Sequence, residues 1–246
     1  MEQLADKNRI IQKLQQDILL LQGLAKCPGS QHQDMGLGPI QNAFPGQVFP
    51  TAAVHEFISD NGPDCAATNG FISGLLGKLM GSNGTCVWIS TNRSIFPSGL
   101  PAFDIRPERI IFIDLNRQKD ALWAIEEALK CKALTAVVGE IKELSFTESR
   151  RLQLAVEKSK VTGFIHRHQA TAANTVACTS RWKISPLPSI LPEGMPGVGI
   201  PSWNVELLKV RNGQPGKWQI EWFEYSFRHQ HVKEQVLPEI QKRQAG

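Results

Sequence analysis

The spacing of apolar positions changes character twice along the chain. Leu4, Ile11, Leu14, Ile18 and Leu21 fall on a and d positions of a heptad, with only Lys7 interrupting the seam. This predicts a helix over 1–25 that either docks on its own domain or offers a stripe to a partner. Residues 26–50 are rich in Gly, Pro, Gln and Asn and read as a linker with a short amphipathic piece near Ile40 to Phe44. From residue 51, short apolar runs alternate with segments of helical period. Strands are predicted over 52–58, 85–90, 109–114, 134–138 and 161–166.

The intervening segments carry helix signals. Phe71, Leu75, Leu76 and Leu79 follow the first strand at helical spacing, and Asp120 is expected to cap a helix to about Lys130 with Leu122, Ile125 and Leu129 on one face. Ser145 and Glu148 form a capping box ahead of Leu152, Ala155 and Val156. Strands separated by helices of this length imply a parallel sheet with helices on its faces. After residue 178 the pattern becomes antiparallel: 181–185, 203–211 and 218–223 read as strands, the last two joined at Asn212-Gly213 as a hairpin. The Pro- and Gly-rich stretch 185–201 reads as a loop, and the basic tail from 226 as a short helix or disordered. The fold class is α/β: a domain over 51–225 with a mostly parallel core and a C-terminal antiparallel hairpin extension, preceded by an N-terminal helix.

With 246 residues, of which 41% are hydrophobic, the chain can bury a large core in one domain. No apolar run reaches the roughly 18 residues of a membrane span, so a soluble, cytoplasmic protein is expected. A net charge of +4 permits nucleic-acid contact without demanding it. Five widely spaced cysteines without a CxxC pair argue against a disulfide framework or zinc site, and Cys86 and Cys131 lie in apolar contexts expected of core residues.

Candidate chemistry centres on residues 62–69, Gly-Pro-Asp-Cys-Ala-Ala-Thr-Asn, which have the length and setting of a phosphate-binding loop. A working GxxxxGK[ST] loop needs a second Gly for close approach, a Lys for phosphate and a hydroxyl for Mg²⁺. After Gly62, those places hold Ala67, Thr68 and Asn69. The acid that would position a metal at the end of a later strand corresponds to Glu140, after Gly139. With the Lys and the hydroxyl both missing, one acid does not assemble a nucleotide site, and no cofactor is expected. An ordinary strand-to-helix turn is the competing account of the same residues.

Two His-x-His pairs, His166/His168 and His229/His231, each share a strand face, yet no Cys or carboxylate is spaced to complete a metal site. Arg150 and Arg151 open a helix and either face an acidic partner or phosphate, or pair with acids one turn away. Trp182, Trp203, Trp218 and Trp222 could stack single strands, but alternation favours a packed sheet. Residues 169–180 lack both the charge and the aromatics of a DNA-binding loop.

Several ordered segments together resemble the RecA-like core and, more closely, the ImuA family: His55-Glu56-Phe57, Val87-Trp88-Ile89, Asp120 to Leu129, Ala136 to Glu140, Ser149 to Ala155, Arg181-Trp182, Trp203 to Leu208 and Trp218 to Trp222. The resemblance covers roughly 37–223. It implies a RecA-like, non-catalytic accessory factor in DNA-damage-induced mutagenesis, acting in translesion synthesis by contacts with an ImuB-like protein, an error-prone DNA polymerase and/or RecA. Contact with partners is expected through Ile11, Leu14, Ile18 and Leu21 or through Arg150 and Arg151, with DNA contact indirect and self-association open. The rival readings are a divergent RecA-like ATPase and a SulA-like inhibitor of the cell-division GTPase.

Overall fold

Alternation along each strand sends apolar side chains to two separate cores. Trp88, Val138 and Phe164 face one side of the sheet, and their neighbours Ile89, Val137 and Ile165 face the other. The computed structural model describes Ile10, Leu14 and residues 34–169, 174–190 and 199–229.

The strands are β1 (Val54–Ser59), β2 (Cys86–Ser90), β3 (Ile110–Asp114), β4 (Ala136–Ile141), β5 (Thr162–His168), β6 (Ser180–Ile190), β7 (Ile200–Val210), β8 (Gly216–Phe223) and β9 (Ser226–His229). They form one nine-stranded mixed sheet in the order β3-β2-β4-β5-β1-β6-β7-β8-β9. Pairing is parallel from β3 through β6 and antiparallel from β6 to β9. The expected α/β class, with a parallel core and an antiparallel extension, is therefore present.

Among the described residues, three α-helices cover the core: α1 (Gly62–Met80), α2 (Gln118–Lys130) and α3 (Phe146–Ser159). Helix α1 packs on the aromatic-rich face with Phe57, Trp182 and Trp203, whereas Ile125 and Leu129 of α2 and Leu152 and Val156 of α3 pack on the other. The capping box at α3 forms as its sequence predicts, with Glu148 N–H donating to Ser145 Oγ and the Glu148 carboxylate accepting from Ser145 N–H. Helix α2 differs. Arg117 holds the cap position, and Asp120 sits in the first turn, where it pairs with Arg117 at 2.7 Å.

Several other boundaries depart from the sequence pattern. The described part of the expected linker, residues 34–50, packs on the core through Met35, Leu37, Ile40, Phe44 and Phe49 and winds into 3-10 helices over Gly38–Ala43 and Pro45–Gln47. Residues 185–190, expected within a loop, continue β6, because β7 supplies an antiparallel partner that outweighs the proline content. Within the expected tail, Ser226–His229 form β9 on β8, joined by a turn whose residues Glu224 and Tyr225 have φ of 49° and 57°. The Asn212-Gly213 hairpin turn forms as expected. A Cβ on Gly213 would stand 2.2 Å from the Ala43 carbonyl, so this glycine admits the N-terminal segment. Cys86 is buried, but Cys131, expected in the core, is exposed just past the end of α2.

Candidate functional site

The carboxyl ends of β1, β5 and β4 lie side by side, with the N-terminal turns of α1 above them, because β5 pairs with both β1 and β4. Ser59, His166, His168 and Glu140 end these strands on the same face as Phe57, Phe164 and Val138. Beside them opens a pocket of about 540 Å³ lined by residues that include Cys65, Ser94, Lys142 and His168.

The segment read as a degenerate phosphate loop is helix from its first residue. Asn61 caps α1 by accepting from Asp64 N–H, Pro63 occupies the first turn, and only Asp60 and Asn61 separate β1 from the helix. Ala67, Thr68 and Asn69 are instead buried second-turn residues of α1.

Thr68, Asn69 and Glu140 nevertheless meet, through a directional chain of hydrogen bonds. Trp88 Nε1 donates to Glu140 Oε1 at 2.6 Å, and Ser94 Oγ donates to Glu140 Oε2 at 3.1 Å. Ser94 in turn accepts from Asn69 Nδ2 at 2.6 Å, which leaves Asn69 Oδ1 facing His166 Nδ1 at 2.8 Å. An amide oxygen only accepts, so His166 carries its proton on Nδ1 and presents a lone pair on Nε2. Ser59 Oγ lies 2.8 Å from that nitrogen and 2.9 Å from Thr68 Oγ1. Burial, reinforced by the neighbouring His168, holds the His166 imidazole well below its ordinary pKa and so neutral.

His168 stands at the pocket wall. Its Nδ1 is 3.0 Å from Cys65 Sγ, and its buried Nε2 is 3.3 Å from Glu140 Oε2 but out of line for a hydrogen bond. Burial pushes the Cys65 thiol up, opposed by the Ser59 hydroxyl. Cys65, His166 and His168 each offer a ligand atom within 4.8 Å of the others. Sequence spacing does not reveal this set, since the fold brings Cys65 across 103 residues to His168. The signals in the sequence were the strand His-x-His and a cysteine just after the first core strand.

The other candidates fall elsewhere. Gly139 lies on β4 beneath Ile125, on the opposite face from Glu140. Arg150 and Arg151 are exposed on α3, and Arg151 bridges to Glu126 of α2 at 2.6 Å, across helices rather than to an acid one turn away. His229 donates to the Leu37 carbonyl at 2.9 Å, while His231 is outside the described residues. Leu14 is helical and exposed, and Ile11, Ile18 and Leu21 also lie outside the described residues. Trp182, Trp203 and Trp222 are buried in the core with Trp218 packed against it. Within 169–180, Asn174 is tied into a buried ion cluster with Arg167 and Arg181.

No family model matches the chain. Two curated relatives do, both described as Protein ImuA and both from strains of Caulobacter vibrioides. Each is 31% identical over 194 residues, spanning 74% of this chain and 80% of the relative. Identity at that level, sustained over four-fifths of the relative, bears out the resemblance carried by the ordered segments of the sequence: the chain belongs to the ImuA family.

Proposed function

We propose that the chain is a non-catalytic, RecA-like accessory factor in DNA-damage-induced mutagenesis, acting by protein contacts with an ImuB-like protein, an error-prone DNA polymerase or RecA. One observation carries the non-catalytic part: the strand-to-helix junction where a nucleotide's phosphates would sit is already helix at Gly62, and Thr68 and Asn69 are spent on an internal network. A phosphate cradle needs backbone N–H groups turned outward from a glycine-rich loop together with a lysine. Here the first-turn Asp64 N–H is taken by Asn61, and position 68 is a threonine.

The strand order supports the RecA-like part. β1, which leads into α1, lies inside the sheet, and β4, which carries Glu140 next to its last residue, is one strand removed from it. Membership of the ImuA family supports the role in mutagenesis. Protein contact is supported by exposed apolar residues lining the groove between α2 and α3: Trp123 is 65% exposed, and Leu154 is exposed on α3.

Two measurements test the reading. Titration with a fluorescent ATP analogue in Mg²⁺ is expected to show no saturable binding, and saturation with turnover would replace this reading by a divergent ATPase. A pull-down with purified ImuB-like protein is expected to retain the chain, and Trp123→Ala is expected to weaken retention. Failure of the full chain to be retained, with and without residues 1–30, removes the interaction mechanism.

A further inference from the structure

We propose that Cys65, His166 and His168 form a three-ligand site for a borderline-soft divalent cation, Zn²⁺, with its fourth coordination position open to the adjoining pocket. The three side chains arrive from two elements whose ends are fixed by the sheet. His166 and His168 share one face of β5 with ring centroids 4.0 Å apart, and Cys65 hangs over them from the first turns of α1. A ligand atom from each lies within 4.8 Å of the others, and small side-chain rotations close such a separation to the roughly 3.5 Å of tetrahedral zinc ligands.

The outer shell matches what metal-bound histidines use. A ligating imidazole turns one nitrogen to the ion and donates its other N–H to a carbonyl or carboxylate, which fixes the tautomer. His166 donates from Nδ1 to the Asn69 amide oxygen, itself oriented by Ser94 and Glu140, which leaves the lone pair on Nε2; that lone pair faces Ser59 Oγ at 2.8 Å, and the ion would take the hydroxyl's place there. His168 has the mirrored arrangement. Nδ1 faces Cys65 at 3.0 Å, and Glu140 Oε2 stands 3.3 Å from the buried Nε2, which lacks an aligned acceptor and gains one with a slight ring rotation. A Zn²⁺ ion holds sulfur and nitrogen ligands about 3.5 Å apart, so the Cys65 to His168 gap opens by only about half an ångström on binding.

The donor set decides the metal. One thiolate and two imidazoles suit Zn²⁺ and disfavour Mg²⁺ and Ca²⁺, which take oxygen ligands. Three protein ligands beside a pocket of about 540 Å³ leave room for a water or an incoming donor at the fourth position. Binding clamps the start of α1 to the end of β5. It also explains why Thr68, Asn69 and Glu140 form a hydrogen-bonded frame where a nucleotide site would need other residues.

Cobalt titration of the full chain tests the site, because a Co²⁺–thiolate bond gives a charge-transfer absorption that other ligands do not. The band is expected to saturate at one equivalent in the wild type and in Cys131→Ser, to disappear in Cys65→Ser, and to be displaced by Zn²⁺. His168→Gln and Glu140→Gln are each expected to weaken binding about tenfold or more, the second because it disturbs the outer shell. Absence of the band at stoichiometric Co²⁺, or its persistence in Cys65→Ser, overturns the proposal. Should Cys65→Ser fail to fold by circular dichroism, the wild type decides alone: Zn²⁺ must protect Cys65 from alkylation as read by peptide mass spectrometry, and equal labelling with and without Zn²⁺ overturns the site.

Discussion

Arg167 Nη1 lies 2.8 Å from Glu56 Oε1, and neither side chain is exposed to solvent. Glu56 Oε2 also accepts from Arg181 Nε at 2.5 Å, Arg167 reaches Glu143 at 3.3 Å, and Asn174 Oδ1 accepts from Arg167 at 2.9 Å. The cluster therefore joins β1, β5, β6 and the segment after β5 on the α2 and α3 side of the sheet. It is stable as a set because each buried charge has several partners, and fragile to single changes for the same reason.

Glu56→Gln is expected to lower unfolding stability by about 3–5 kcal/mol, since it leaves two arginines facing a neutral group in a dry environment. Adding Arg167→Met is expected to recover part of the loss, so that a double-mutant cycle gives a coupling of about 1 kcal/mol or more. Chemical denaturation of the four proteins measures it. Strict additivity would mean that the two side chains do not depend on each other.

Gly139 precedes Glu140 for a packing reason. A Cβ there would stand 2.3 Å from Ile125 Cδ1 and 2.9 Å from Ile125 Cγ1, so α2 rests directly on the β4 backbone. Gly139→Ala is expected to cost about 1–3 kcal/mol by overpacking. Ile125→Val, which removes the nearest methyl, is expected to recover part of that cost in the Gly139→Ala background. Thermal melts of the single and double variants read both effects.

His55 makes stability depend on pH. Its ring stacks between Phe49 and Phe164, with Nε2 donating to the Pro50 carbonyl at 2.7 Å and Nδ1 facing Ser180 Oγ at 2.7 Å. Burial pushes its pKa from 6.5 down to about 4, against the opposing pull of the Pro50 carbonyl. Above pH 6.5 both folded and unfolded imidazoles are neutral and the contribution is complete. Between 6.5 and about 4 only the unfolded chain takes the proton, so stability falls with pH, and below about 4 this residue removes no more. On moving from about pH 7.5 to about pH 5, the wild type is expected to lose about 2 kcal/mol more than His55→Gln in urea unfolding. Equal losses would show that the folded imidazole takes up its proton as readily as the unfolded one.

Thiol accessibility should separate the cysteines. Cys131 is exposed and Cys65 half-buried, whereas Cys86 is buried with its pKa pushed up to about 12, and burial raises Cys178 further. In a Cys27→Ser background, a maleimide is expected to label Cys131 first and Cys65 more slowly, with Cys86 and Cys178 reacting only after unfolding. Early labelling of Cys86 would contradict its place beneath α1.

Local patterns in the sequence determined what short-range physics controls. Alternating apolar residues placed Val87 and Ile89 opposite Trp88, the Ser145 and Glu148 pair fixed the start of α3, and Asn212-Gly213 fixed a hairpin. Enough ordered segments also survived to place the chain in its family. Tertiary structure alone decided where local preference is weak or where partners are distant in sequence. Ser185 to Ile190 became strand because β7 lies alongside, and 34–50 became core because Leu37, Ile40 and Phe44 found an open apolar face beside α1. The Cys65, His166 and His168 cluster and the Glu56 to Arg167 pair were decided the same way. Each joins residues roughly a hundred or more positions apart that meet only because β1 and β5 are hydrogen-bonded neighbours, and strand order is set by how the two cores bury their surface, which no short window of sequence contains.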